Sequence, residues 1–216
     1  MHIADGFLPI AHAAGWTAAA VPIVAHGARQ LTRQLSASPG AALSLGAAGG
    51  FTLLLTALKL PSVAGSSSHP TGVTLGTVVC GPAAMAAIGP AVLLLQALFL
   101  AHGGLTTLGA NTVSMAVVGP WAAWLTWRAT SRFTGRKVAV GAAAVASSLA
   151  TYLMTAFQLA LAFPDPVSGV WGALLKFGAI FLTAQAPIAL AEAGFTAVAV
   201  ETLLLRLPAA SALRRA

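Results

Sequence analysis

Long apolar runs dominate the chain, and short polar or basic breaks separate them. At 1.5 Å of rise per residue, about 20 apolar residues carry a helix across a hydrocarbon core about 30 Å thick. Breaking the runs at Gly, Pro and polar clusters predicts seven helices, over residues 8–26, 41–60, 71–82, 83–101, 109–127, 138–162 and 171–207. No charged residue lies between Lys59 and Arg128, so that gap has to hold more than one span. The third helix is short and ends at Gly81-Pro82. The seventh is too long for one straight crossing. Pro187 is expected to divide it into a peripheral piece and a spanning helix over 188–207. Residues 36–40 and 164–169 read as turn-like linkers. No repeat or second domain is visible, so residues 1–216 form one integral membrane domain in this reading.

Composition closes off other classes. Of 216 residues, 58% are apolar and 7% are charged, against about a quarter charged in a soluble domain. The mean hydropathy is +0.88. So little charge cannot cover a water-facing surface, which excludes a soluble globular enzyme and a disordered chain. The net charge of +7 would point to nucleic acid in a soluble protein. Here the basic residues cluster between apolar runs, the pattern of membrane topology, and no nucleic acid is expected. The lone Cys80 permits no intrachain disulfide and no thiolate metal cage.

The basic residues also predict orientation. With the amino terminus outside, Arg29, Arg33, Arg128, Arg132, Arg136, Lys137, Arg206, Arg214 and Arg215 fall inside, and only Lys59 and Lys176 stay near the outer ends. Seven crossings then leave the carboxyl terminus inside. The amino terminus has no Lys or Arg before Arg29 and carries Asp5, unlike a signal peptide. It is expected to be retained and exported. Trp121, Trp124 and Trp127 read as interfacial anchors at the inner end of the fifth helix.

Five histidines supply most of the ligand chemistry: His2, His12, His26, His69 and His102. His2 stands out. The amine of Met1, the peptide nitrogen of His2 and its imidazole are joined through the chain. They can wrap one ion as fused five- and six-membered rings once the peptide N–H is lost. A fourth nitrogen would complete a plane, which suits Ni(II) or Cu(II) and can be imposed on Co(II). His69 is the natural fourth donor. It follows Ser66, Ser67 and Ser68 in a polar loop on the same face, and those hydroxyls could fix its tautomer. Read alone, a solvated turn histidine is the plainer account. His102 and Asn111 lie in a second loop on that face, where supporting or helix-capping roles outrank direct ligation. His12 and His26 read as packing or interfacial residues.

Glu192 and Glu201 are acids within the last apolar stretch, and carboxylates inside a membrane point to function. Glu201, five residues before Arg206, fits an interfacial pair. Glu192 lies deeper, with no partner evident. Ala42, Gly46 and Gly50 follow small-xxx-small spacing and make a smooth stripe for packing or partner docking. There is no G-x-x-x-x-G-K-[ST], H-E-x-x-H or G-x-S-x-G motif. Two rival readings are a stand-alone proton-coupled carrier with Glu192 as relay and an intramembrane hydrolase using Ser68 and His69. Inverted repeats and an orienting acid, respectively, would support them, and neither is evident in the sequence.

The opening Met1-His2-Ile3-Ala4-Asp5-Gly6-Phe7-Leu8-Pro9 resembles that of the CbiM/NikM family, the substrate-binding membrane components of energy-coupling factor (ECF) transporters for cobalt and nickel. The Ser66–Gly72 loop and the 101–112 segment, Ala-His-Gly-Gly-Leu-Thr-Thr-Leu-Gly-Ala-Asn-Thr, are similar too. The resemblance implies an all-α protein of about seven transmembrane helices, with an extra amino-terminal helix beside a six-helix unit. It implies a plasma-membrane transporter subunit that is not an enzyme and binds no cofactor. Its substrate would be Co(II) or Ni(II), held by Met1, His2 and His69. Asp5, Ser66, Ser67, Ser68, His102 and Asn111 would hold these ligands in place. Ala42, Gly46 and Gly50 are the expected contact for a partner. The implied partners are a membrane coupling protein, cytoplasmic ATPase subunits and, in some systems, a small accessory membrane protein. The two loop sequences look closer to the cobalt members.

Overall fold

The computed structural model describes residues 2–38, 40–61 and 67–206. Helix α1 spans Ile10–Ala37, α2 Ala41–Ala57, α3 Val73–Cys80 and α4 Pro82–Phe99. A continuous rod follows, made of α5 (Leu108–Asn111), π-helical turns (Thr112–Val118) and α6 (Gly119–Thr130). The last two helices are α7 (Arg136–Ala162) and α8 (Gly169–Arg206). Among the described residues these are seven rods, matching the seven predicted runs. The chain is an all-α, multi-pass membrane protein.

Two boundaries depart from expectation. α1 continues well past residue 26 to Ala37, because apolar composition marks where a chain crosses lipid and not where its helix stops. His26 is therefore mid-helix and exposed, while His12 is half-buried near the start. α8 is a single helix through Pro187. A proline removes one N–H and crowds the preceding turn, yet packing can hold the rod together. Here α7 lies along α8. Gln185 and Glu192, on either side of Pro187, are both tied to the segment 69–72. The expected peripheral piece is not separate.

The break at Gly81-Pro82 is as the sequence implies. Gly81 sits at φ 89 and Pro82 opens α4, where a missing N–H costs nothing. Between α2 and α3 the chain pairs Leu60–Pro61 with Ser67–Ser68 in a short antiparallel ladder. It then descends, buried, through His69 to Gly72. Gly72 caps α3 at φ 66, and a Cβ there would lie 3.0 Å from the Cα of Thr52. Only glycine fits that approach.

One apolar cluster, with Leu45, Val73, Leu75, Met85, Met115 and Val140, joins α2, α3, α4, α7 and the π-helical turns. A second, with Ile3, Leu8, Tyr152, Leu159 and Phe181, draws the amino-terminal segment onto α7 and α8. Leu43, Leu54, Leu98, Phe99, Leu125, Leu190 and Phe195 are exposed, an outward apolar surface that lipid rather than water accommodates. By helix sense, α1 and α8 start, and α2, α4 and α7 end, at the same end of the bundle as the amino-terminal segment. Arg29, Arg33, Arg128, Arg132 and Arg136 lie toward the other end. Glu201 pairs with Arg136 at 3.5 Å, because α7 starts beside the end of α8; the side chain of Arg206, the expected partner, lies outside the described residues. Arg128 lies over the ring of Trp124 at 4.8 Å.

Candidate metal centre

The amino-terminal segment folds back over the loop before α5 and is held by backbone-directed bonds. Asn111 accepts the Ile3 N–H at 2.8 Å and donates to the Ile3 carbonyl at 3.0 Å. The Thr107 hydroxyl donates to the same carbonyl at 2.7 Å. Asp5 accepts the backbone N–H and hydroxyl of Thr106 at 2.9 and 2.6 Å. These bonds hold the Asp5 carboxyl below the usual carboxylate range. The fit is close: a Cβ on Gly104 would lie 2.3 Å from the Cα of Asp5.

This seating buries His2 beside His69 and His102. The ring centroids are 4.7 Å apart for His2–His69, 4.4 Å for His2–His102 and 4.8 Å for His69–His102, and all three planes are tilted against one another. One ligand atom from each ring lies within 4.8 Å of the others. At metal–nitrogen bonds of about 2.1 Å, two donors on one ion are at most about 4.2 Å apart. Sub-ångström closure would let one ion reach all three rings.

Among the described residues, each ring keeps a buried nitrogen without a hydrogen-bond partner: Nδ1 of His2, Nε2 of His69 and Nε2 of His102. Buried polar atoms are nearly always satisfied, so three orphans in one place call for a reason. The opposite nitrogens of two rings are engaged. Nδ1 of His69 lies 2.9 Å from the Pro70 carbonyl. Only a protonated Nδ1 can donate there, which leaves Nε2 as a lone-pair donor. Nε2 of His2 lies 3.2 Å from Sδ of Met115, in the π-helical turns. Burial, more than the neighbouring charges, pushes all three imidazoles toward neutrality: His2 and His69 fall well below 6.5, and His102 drops to about 4. Neutral imidazole is the metal-binding form.

The expected serine support takes a different form, since the Pro70 carbonyl and not a hydroxyl fixes the His69 tautomer. Ser68 is buried, the Ser67 backbone belongs to the short ladder, and Met1 and Ser66 lie outside the described residues. The backbone of His69 is held by residues the sequence did not nominate. The Tyr152 hydroxyl receives its N–H at 3.1 Å and donates to its carbonyl at 3.2 Å. Gln185 donates to that carbonyl at 3.2 Å and to the Ser148 hydroxyl at 2.7 Å.

Glu192 gains the partner the sequence left open. Its carboxylate accepts the Thr71 N–H and hydroxyl and the Gly72 N–H, at 2.8, 2.7 and 2.7 Å. The stripe of Ala42, Gly46 and Gly50 lies apart from the site. It is exposed, and added Cβ atoms on Gly46 and Gly50 would meet nothing within 4 Å. It packs no helix of this chain among the described residues.

A lipid-facing helical bundle around a sealed imidazole cluster defines an integral membrane component of a transition-metal transporter. The chain belongs to the CbiM family: the description "Cobalt uptake substrate-specific transmembrane region" matches residues 2–209. It is 53% identical over 205 residues to the cobalt transport protein CbiM of Streptomyces coelicolor, across 94% of this chain and 88% of that one. It is 50% identical over 206 residues to cobalt transport protein CbiM 1 of Pelobacter propionicus, across 94% and 91%. The fold is similar to the crystal structure of a truncated transition metal transporter, with a TM-score of 0.80 and 25% identity, covering 95% of this chain and 99% of that one.

Proposed function

We propose that this chain is the metal-capturing membrane subunit of an ECF-type transporter that imports divalent cobalt. Met1 and His2 chelate the ion through the terminal amine, the deprotonated peptide nitrogen of His2 and Nδ1 of its ring. Nε2 of His69 occupies the fourth position. One observation carries this reading. The unpartnered nitrogen of His2 is Nδ1, the atom that closes a six-membered ring with its own peptide nitrogen. Its Nε2 is turned instead to Met115.

The ion enters from outside, where the amino terminus lies, and exchanges water for nitrogen. Because the imidazoles are already neutral, the protons released come from the amine and the peptide N–H. Energy comes from ATPase subunits on the cytoplasmic side, through a membrane coupling protein, with or without a small accessory membrane protein. The open stripe at Ala42, Gly46 and Gly50 is the contact for that coupling protein. The whole chain acts as one domain in the plasma membrane and catalyses no reaction. Nickel is the second reading, because four planar nitrogens suit Ni(II) equally well.

The test is metal content after purification with an untouched amino terminus. The native chain should retain about one cobalt per molecule. Adding Ser-Gly before Met1 should abolish retention although His2 is intact, and His69→Ala should abolish it as well. Full cobalt retention by the extended chain would refute the chelate.

A further inference from the structure

We infer that His102 is a fifth, apical nitrogen donor that biases the site toward Co(II) over Ni(II). The inference rests on the proposed chelate and goes beyond it. A deprotonated peptide nitrogen is planar. It holds the terminal amine and Nδ1 of His2 on either side of itself, in one plane with the ion. That plane has a single vacant corner. Two imidazoles stand ready for it, each with a buried, unpartnered Nε2: those of His69 and His102. One ring takes the corner, and the other can reach the ion only from above or below the plane.

The rings are disposed for this. The His102 ring lies 4.4 Å from that of His2, at an interplanar angle of 68°, and 4.8 Å from that of His69, at 72°. It meets both nearly edge-on rather than stacking beside them. The backbone is bent to bring it there. Ala101, just past the end of α4, sits at φ 46, a left-handed turn of the kind that closes many helices. The His102 N–H then folds back onto the Gln96 carbonyl at 3.2 Å.

The fifth donor separates the two metals. In a strong planar nitrogen field, Ni(II) has eight d electrons, leaves its axial orbital empty and prefers four ligands. Low-spin Co(II) has seven, with the odd electron in the axial orbital, and takes one apical base readily. An apical imidazole thus adds a bond for cobalt that nickel barely uses.

The test uses the full chain with its native amino terminus, in detergent, titrated with CoCl2 or NiCl2. Electron paramagnetic resonance of the cobalt form should show each cobalt line split into three by one axial 14N, and into two after 15N-histidine labelling. His102→Ala should lose that splitting and weaken Co(II) about tenfold, the scale of losing one metal-supporting contact, while Ni(II) affinity changes less than twofold. Retained nickel binding shows that the variant is folded. Splitting that is absent in the native chain, splitting that survives in His102→Ala, or equal losses for both metals would overturn the inference. The Ser-Gly extension decides the chelate separately: with His102 intact, it should remove both metals.

Discussion

Glu192, buried in α8, accepts two hydrogen bonds from Thr71, one from the backbone N–H at 2.8 Å and one from the hydroxyl at 2.7 Å. Thr71 stands two residues after His69, so the carboxylate anchors the segment that carries a candidate ligand. Glu192→Gln keeps the size but replaces one acceptor oxygen with a donor facing an N–H. The change should lower stability by about 1–3 kcal/mol and weaken cobalt binding about tenfold. Thermal unfolding and metal titration in detergent check both. Unchanged values would remove the anchoring role.

Asn111→Ala should loosen the amino-terminal segment. It leaves the Ile3 N–H without its acceptor and the carbonyl with only Thr107, at about 1–3 kcal/mol. Met1-His2 should become open to an aminopeptidase that leaves the native chain intact. Equal resistance of the two proteins would contradict this.

Stability of the metal-free protein should fall in acid. Burial holds His2 and His69 well below 6.5 and His102 at about 4. Unfolded imidazoles take up protons near 6.5 while the folded ones stay neutral. The unfolded state therefore binds more protons in this window, and stability drops as pH falls from about 6.5 toward 4. The slope is at most about 1.4 kcal/mol per pH unit for each histidine. Melting temperatures at pH 7 and pH 5 read this directly. A flat profile would mean that the rings are already charged or solvated.

Gly46→Leu should leave cobalt binding unchanged, because nothing among the described residues lies within 4 Å of a Cβ added there. Co-purification with the proposed coupling protein should drop severalfold. Normal recovery of the assembly would exclude the stripe as its contact.

The helices were legible because lipid demands long apolar runs, and composition reports those directly. Their ends were not. α1 carries Arg29, Arg33 and Gln34 within its helical length, and hydropathy does not register a helix that leaves the apolar layer. The proline in α8 misled because its effect depends on neighbours, here the bonds of Gln185 and Glu192 on either side. His2 and His69 were legible from local context: a histidine at position 2, and another in a serine loop. Met115, Tyr152 and Gln185 carried no such mark. They meet the site across 113, 83 and 116 residues of chain, and nothing in their own surroundings distinguishes them from core residues.

Those separations dictate when the centre comes into being. Ile3 waits for Asn111, 108 residues later, and Thr71 waits for Glu192, 121 residues later. During synthesis the first candidate ligand emerges long before its neighbours exist, and the clamp on His69 is complete only with the last helix. Contacts this remote are late steps. The centre is thus completed after insertion is otherwise finished, and a half-made chain offers the ion little more than its own tip.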